Sequence, residues 1–257
     1  MKRLFSILPV FAIIVYVFLF SNVSYSQMFW NQSGSFTGSD SSHISVKDNA
    51  SLDLTGSFTV ECWINPVNSV SPNAQTILVK RTLANVNSGF GMFLLNGKIL
   101  FNTGVLSGIT GTTVIPDNEW THVAGKYNST TNTFSLFING VSDTSVVIAA
   151  PQVVNNDTLF IGFGRGIGNP FNGLLDDIRI WNRAISGAEI SQNFRTSLGL
   201  NTGIYNGLVL ALTFQKQEST GTTFSVNDFS GTGNNCFNRN VTAFSLTGEL
   251  YETVTFN

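Results

Sequence analysis

The run Gly173-Leu174-Leu175-Asp176-Asp177-Ile178-Arg179-Ile180-Trp181-Asn182-Arg183-Ala184-Ile185 alternates with period two. Leu174, Asp176, Ile178 and Ile180 share one face, while Leu175, Asp177, Arg179 and Trp181 share the other, which is the pattern of a strand. A bare carboxylate beside two isoleucines costs several kcal/mol when buried, so Asp176 needs a partner. Backbone N–H groups, Arg183 or a cation would each serve. Asp177 faces the other way and is expected at the surface, paired with Arg179 or Arg183. Immediately downstream, Ser186-Gly187-Ala188-Glu189 has capping-box spacing, which predicts one short helix over residues 186–195.

Upstream, the signals are those of antiparallel hairpins. Asn96-Gly97 separates Phe90–Leu95 from Lys98–Phe101, and Asn139-Gly140 separates Thr133–Ile138 from Val141–Ile148. Asn-Gly tolerates the positive φ pair of a type I′ turn, whose twist matches that of paired strands. Further strands are expected at His43–Val46, Phe58–Pro66, Gln75–Arg81, Glu119–Tyr127 and Thr158–Gly162. The helical period is otherwise absent. The fold class is therefore all-β, an antiparallel β-sandwich of jelly-roll type with one short helix near residues 186–195.

Three segments resemble a known family. Residues 173–186, GLLDDIRIWNRAIS, are similar to the closing strand G-x-I-D-E-V-R-I-Y-N-R-A-L-S of laminin-G-like, concanavalin-type jelly rolls. Residues 58–66, FTVECWINP, resemble that family's F-T-V-E-A-W-V-x-P, and Trp120 to Ala124 its W-x-H-V-A, continued by FSLFINGV from Phe134. The resemblance covers roughly residues 30 to 195. It implies a secreted or cell-surface module that binds glycans or extracellular proteins. In related folds an Asp at the start of the closing strand and carbonyls of N-terminal loops hold a structural calcium. Asp176 matches that Asp by motif position, and Asp40 lies in the turn-rich loop that would supply the other ligands, so Ca²⁺ is the cofactor the resemblance implies.

The N-terminus carries Lys2 and Arg3, an apolar run from Leu4 to Phe20 and then Ser24-Tyr25-Ser26. This is the pattern of a signal peptide over residues 1–26, cut before Gln27. An uncleaved anchor is the other reading, weakened by Pro9 within the run. Residues 27–215 would form the jelly-roll domain, with no membrane segment in the mature form. Residues 216–257 are a C-terminal extension. Gly207 to Phe214 and the following Glu218 to Asn235 resemble the family's opening strand and turn, out of their usual order. They either close the sandwich or begin an incomplete second domain.

Charged residues make up 11% of the chain and the net charge is −2. Nucleic-acid binding needs clustered positive charge, so no nucleic-acid partner is expected. An uncharged, hydrogen-bonding surface suits neutral partners such as sugars, and equally a structural spacer. No E-x-D-x-x-E pattern is present, and retaining glycosidases need two carboxyls about 5 Å apart. Neither a G-x-S-x-G elbow nor an H-E-x-x-H helix occurs. No catalytic residues are assigned, and the ligand-binding residues are not legible. The two histidines, His43 and His122, lack the spacing of a zinc site. Trp63, Trp120 and Trp181 read as core residues, whereas Trp30 is free to be a sugar platform. Arg165, in Gly162-Phe163-Gly164-Arg165-Gly166, either contacts a ligand or caps its loop. Cys62 and Cys236 admit a disulfide by count, but Cys62 shares a face with Phe58, Val60 and Ile64 and fits equally well as a buried thiol.

Overall fold

The computed structural model describes residues 32–104, 107–150, 154–194, 206–214, 226–234 and 236–245. Trp30 and the expected signal peptide lie outside them. In order, the strands are β1 (Gln32–Thr37), β2 (His43–Val46), β3 (Phe58–Pro66), β4 (Gln75–Val79), β5 (Phe90–Leu95), β6 (Lys98–Thr103), β7 (Ser107–Thr110) and β8 (Thr121–Asn128). They continue with β9 (Thr133–Ile138), β10 (Val141–Val147), β11 (Leu159–Ile161), β12 (Asn169–Pro170) and β13 (Asn172–Trp181). Helix α1 (Gly187–Asn193) follows, then β14 (Leu208–Leu212), β15 (Cys236–Arg239) and β16 (Thr242–Ser245). The two Asn-Gly pairs turn as expected: φ is 49° and 73° at Asn96 and Gly97, and 50° and 75° at Asn139 and Gly140. They pin the β5–β6 and β9–β10 hairpins in register.

Among the described residues, the strands form two sheets. Sheet A runs β10-β9-β8-β3-β13-β1-β16, with β14 also paired to β13. Sheet B runs β15-β2-β11-β4-β5-β6-β7, with the short β12 parallel to β4. Alternate residues of each sheet meet between them: Phe58, Val60, Cys62 and Ile64 of β3 face Met92, Leu94, Ile99 and Phe101 of sheet B in one apolar core. The Phe58 ring lies 5.4 Å from Phe90 and 5.5 Å from Phe101, centroid to centroid. Gly125 of β8 is small for this reason, since a Cβ there would stand 2.5 Å from the Phe101 ring. Cys62 and Cys236 are free thiols on different sheets. Burial pushes both thiols up, Cys236 to about 12.

The strict alternation expected along residues 174–181 does not hold. Leu175 packs in the core with Ile178 and Ile180, and Leu174 is half-buried. A β-bulge separates the two halves of the strand. Asp176 pairs with Trp63 and Arg179 with Glu61, so two residues, Asp177 and Ile178, face the single Cys62. Asp177 takes the left-handed conformation, φ 46°, which re-aims the following side chains by one position.

The C-terminal segment closes the sandwich. β14 pairs with β13 from Ile178 to Trp181, on the same edge that β1 occupies from Asn172 to Leu175. β15 then pairs with β2, and β16 with β1. The extension thus contributes one strand to each sheet. Asp228 organises the turn that leads to β15, accepting hydrogen bonds from the N–H groups of Ala211, Ser230 and Asn234.

Candidate functional site

The two outer faces of the sandwich differ. On sheet A, helix α1 lies across the strands. Ser186 accepts from the Glu189 N–H and Glu189 from the Ser186 N–H, the reciprocal capping box that the sequence implied. Ile185 and Ile190 bury Trp181, Phe137 and Ala124, while Phe194 packs on Trp63 and His122. Arg183 bonds Glu189 at 2.7 Å, so it is not the partner of Asp176 or Asp177.

Beneath α1 lies a buried charged cluster. Arg179 donates to Asp177 Oδ2 at 3.1 Å and to the Asn193 carbonyl at 3.0 Å, and its Nη1 is 3.6 Å from Glu61 Oε1. Trp181 Nε1–H donates to the same Glu61 oxygen at 3.2 Å. Asp177 is therefore not the surface carboxylate the alternation implied, because the bulge turns it inward beside Arg179. Burial pushes the Glu61 and Asp177 carboxyls up, and Arg179 opposes that shift in both. Burial, reinforced by the Arg179 charge, lowers His122 to about 3, so its ring is neutral at pH 7. Glu61 is 0% and Asp177 4% exposed. The cluster is shielded from solvent and ties α1 to sheet A through the Arg179–Asn193 bond.

The two candidate calcium ligands are not brought together. Leu175 pairs with Gly34 and Asn172 with Thr37. Asp176 therefore sits at the opposite end of β1 from the turn that carries Asp40. The Asp176 carboxylate accepts the Asp177 N–H at 2.8 Å and the Phe214 N–H. It fills the seam where β1 leaves β13 and β14 joins it, so backbone donors supply the partner that its burial demands. Burial and the neighbouring Asp177 charge push its carboxyl well up. Asp40 is exposed, and its carbonyl accepts from His43 Nδ1 at 2.9 Å. Among the described residues no three His, Cys, Asp or Glu side chains gather as metal ligands. Asp40 and Asp176 thus do not fit a shared calcium.

Among the described residues no helix covers the outer face of sheet B, and a groove of about 500 Å³ opens there. Register builds it. Phe160 of β11 pairs with Ser45 of β2, and Ser45 with Phe237 of β15, so the three side chains form one row across adjacent strands. Directly paired residues share a face. His43 pairs with Arg239 in the next outward row. The connection from β11 to β12 folds back over the sheet, where the Phe163 ring stacks on His43 at 5.0 Å and meets Phe160 edge-on at 5.7 Å. Arg165 lies over Phe160, 5.5 Å from the ring centre. Gly164 and Gly168 permit this close return: a Cβ on Gly164 would lie 2.5 Å from Thr76 Oγ1, and one on Gly168 2.9 Å from the Ala74 carbonyl. Thr158 and Asn238 complete the lining, and Phe237 is 63% exposed.

His43 and His122 occupy opposite faces of the sandwich. Phe237 and Arg239 carry no local motif, and only the glycine-rich run around Arg165 marks this face in the sequence. Among the described residues no helix is long and apolar enough to cross a membrane.

A search of the curated proteins finds no match. Similar solved structures exist at low identity. A protein from Bacteroides ovatus ATCC 8483, provisionally named carbohydrate binding, is 21% identical, with a TM-score of 0.67 over 85% of this chain. The present chain spans 60% of that protein's length. The native heptameric SAP-like pentraxin of Limulus polyphemus is 16% identical, with a TM-score of 0.54 over 84% of this chain and 95% of its own. Domain 4 of a GH43 extracellular arabinanase from Geobacillus stearothermophilus, solved with arabinotriose, is 19% identical, with a TM-score of 0.50 over 64% of this chain and 76% of its own. A laminin G model of the concanavalin A-like lectin/glucanases superfamily matches residues 37–191. With more than half of its length matched and both sheets of the jelly roll in place, the chain belongs to the concanavalin A-like lectin/glucanases superfamily.

Proposed function

We propose that this chain is an exported, non-catalytic module that binds saccharide in the groove on the outer face of sheet B. The observation that carries the reading is the row of Phe160, Ser45 and Phe237 with His43 and Phe163 beside it: aromatic faces flanked by hydroxyl, amide and guanidinium donors. A pyranose ring has an apolar face and a hydroxyl rim, and such a groove offers a partner to each. The platform is rigid, because paired strands hold most of its residues. Hydrolysis of a glycosidic bond calls for two carboxyls across the substrate, and among the described residues the groove lining contains none. The Bacteroides protein provisionally named carbohydrate binding and the arabinanase domain solved with arabinotriose lend the reading support by likeness of fold. The Lys2-Arg3 start and the apolar run behind it would take the chain out of the cell, where glycans or extracellular proteins are met. With the signal removed, residues 27–257 would act as one domain, since β14, β15 and β16 complete both sheets.

The test is binding of the purified chain to an immobilised glycan panel, beside Phe237→Ala and Phe163→Ala. Saturable binding is expected, weakened at least tenfold by Phe237→Ala, a change at an exposed side chain that leaves the core intact. A chain that is folded by circular dichroism yet binds no glycan, or binds equally well with both rings removed, would overturn the proposal.

A further inference from the structure

We infer that the saccharide taken by this groove is acidic, carrying a carboxylate or sulfate held between Arg165 and Arg239; the inference rests on reading the groove as a glycan site. The first observation is backbone geometry. Arg165 has φ 48°, the left-handed region that glycine enters freely and other residues occupy only at a steric cost. Its neighbours in Gly162-Phe163-Gly164-Arg165-Gly166-Ile167-Gly168 include four glycines, and Gly162, Gly166 and Gly168 also have positive φ. Glycine would suit position 165 equally well for turning the chain. An arginine kept in that conformation points to use of its side chain.

The second observation is the pattern of charge. Three other cations meet carboxylates, Lys80 with Asp48 at 2.8 Å, Arg179 with Asp177 at 3.1 Å and Arg183 with Glu189 at 2.7 Å, while buried Arg81 bonds the Asn102 amide oxygen and Lys126 the Ile185 carbonyl. Arg165 and Arg239 form no ion pair among the described residues, although the chain as a whole carries more acid than base. Asp40 applies its carbonyl to His43 and makes no ion pair with either arginine. Both arginines belong to the groove lining beside His43, whose Nδ1 bonds the Asp40 carbonyl; burial lowers the His43 pKa, and the two arginine charges add to that shift against the Asp40 carbonyl and carboxylate. Guanidinium groups suit carboxylate and sulfate because their planar N–H forks bond two oxygens at once. Phe160 beneath Arg165 restrains the fork by a cation–π contact.

Titration calorimetry of the full chain with two pairs of polymers tests this: polygalacturonate against its methyl ester, and dextran sulfate against dextran. Each pair keeps the sugar and removes the charge, and the two pairs separate carboxylate from sulfate. At least one charged polymer is expected to bind tenfold or more tighter than its neutral counterpart. Arg239→Gln should weaken that binding about five- to tenfold. Arg165→Gly should do the same while melting at or above the wild-type temperature, because the substitution relieves the backbone. The His43 ring should titrate at higher pH in the bound state, as read by NMR. Equal binding of charged and neutral polymers, weakened alike by Phe237→Ala, would overturn the charge inference and leave the glycan site standing. Charged-polymer binding untouched by Arg165→Gly and Arg239→Gln would overturn it as well. A folded chain that binds none of the four would sink both.

Discussion

Replacing Arg179 with leucine removes the one cation from a buried cluster that contains two carboxyls. In the wild-type protein Arg179 bonds Asp177 at 3.1 Å and the Asn193 carbonyl at 3.0 Å, and stands 3.6 Å from Glu61. Leucine leaves both acids and the last carbonyl of α1 without that donor. Breaking a buried ion pair from one side costs roughly 3–5 kcal/mol, a large share of the stability of a domain this size. The loss should depend on pH, with a sign that follows from the direction of the shifts. Burial holds Glu61 and Asp177 above the ordinary carboxyl range while Arg179 pulls them down, so its removal raises both further. A carboxyl whose folded pKa lies above the unfolded one favours the fold most fully below the unfolded value of about 4. That contribution is lost as pH climbs through the folded value. Urea unfolding of Arg179→Leu, followed by tryptophan fluorescence with Trp181 inside the cluster, should therefore show a deficit of roughly 3–5 kcal/mol at pH 7 that narrows at pH 5. Arg179→Lys keeps the charge but not the fork, and should cost less. A deficit under about 1 kcal/mol, or one of equal size at both pH values, would refute the role of Arg179 as counter-ion.

Two further outcomes follow from the packing and from the placement of the acids. Gly125→Ala places a methyl group 2.5 Å from the Phe101 ring, and thermal unfolding should register about 1–3 kcal/mol of overpacking, whereas a neutral result would mean that the sheets separate easily there. Chelation with EDTA should leave the melting temperature unchanged, since Asp176 already accepts backbone N–H groups and Asp40 lies at the other end of β1; calcium at a hundred times its dissociation constant would add about 2.7 kcal/mol, so a drop of several degrees would show that the ion has a site after all.

The sequence was most legible where structure is local. The Asn-Gly turns, the capping box at Ser186 and Glu189, and the strands β3 and β8 all follow from residues within a few positions of one another. The bulge in β13 was not legible, because an aspartate in place of glycine hides a left-handed residue, and one inserted position reverses the faces assigned on either side. β1 was missed, and β15 and β16 were foreseen only as one of two fates of the C-terminal extension, for a different reason. They are short and polar, and each takes its register from a strand far away in sequence. The groove has the same origin: His43, Phe160 and Phe237 belong to three strands that meet only when sheet B assembles, and no window on the sequence contains them together. The fate of Asp176 was half legible. Its need for a partner was plain from its apolar neighbours, but the partners are main-chain N–H groups, that of Asp177 next to it and that of Phe214, which the motif does not include.

β15 and β16 lie next to one another in sequence but at the margins of different sheets, joined through Asn240 and Val241, so one short piece of chain covers the open flank of β2 and the open flank of β1 together. A chain ended before residue 236 would expose two rows of unpaired main-chain groups, the template on which strands of separate molecules join. The same arrangement sets an order of events during synthesis. β1 and β2 wait for β16 and β15, made about two hundred residues later, a long-range closure that slows folding and leaves the nascent sandwich adhesive until those strands are available.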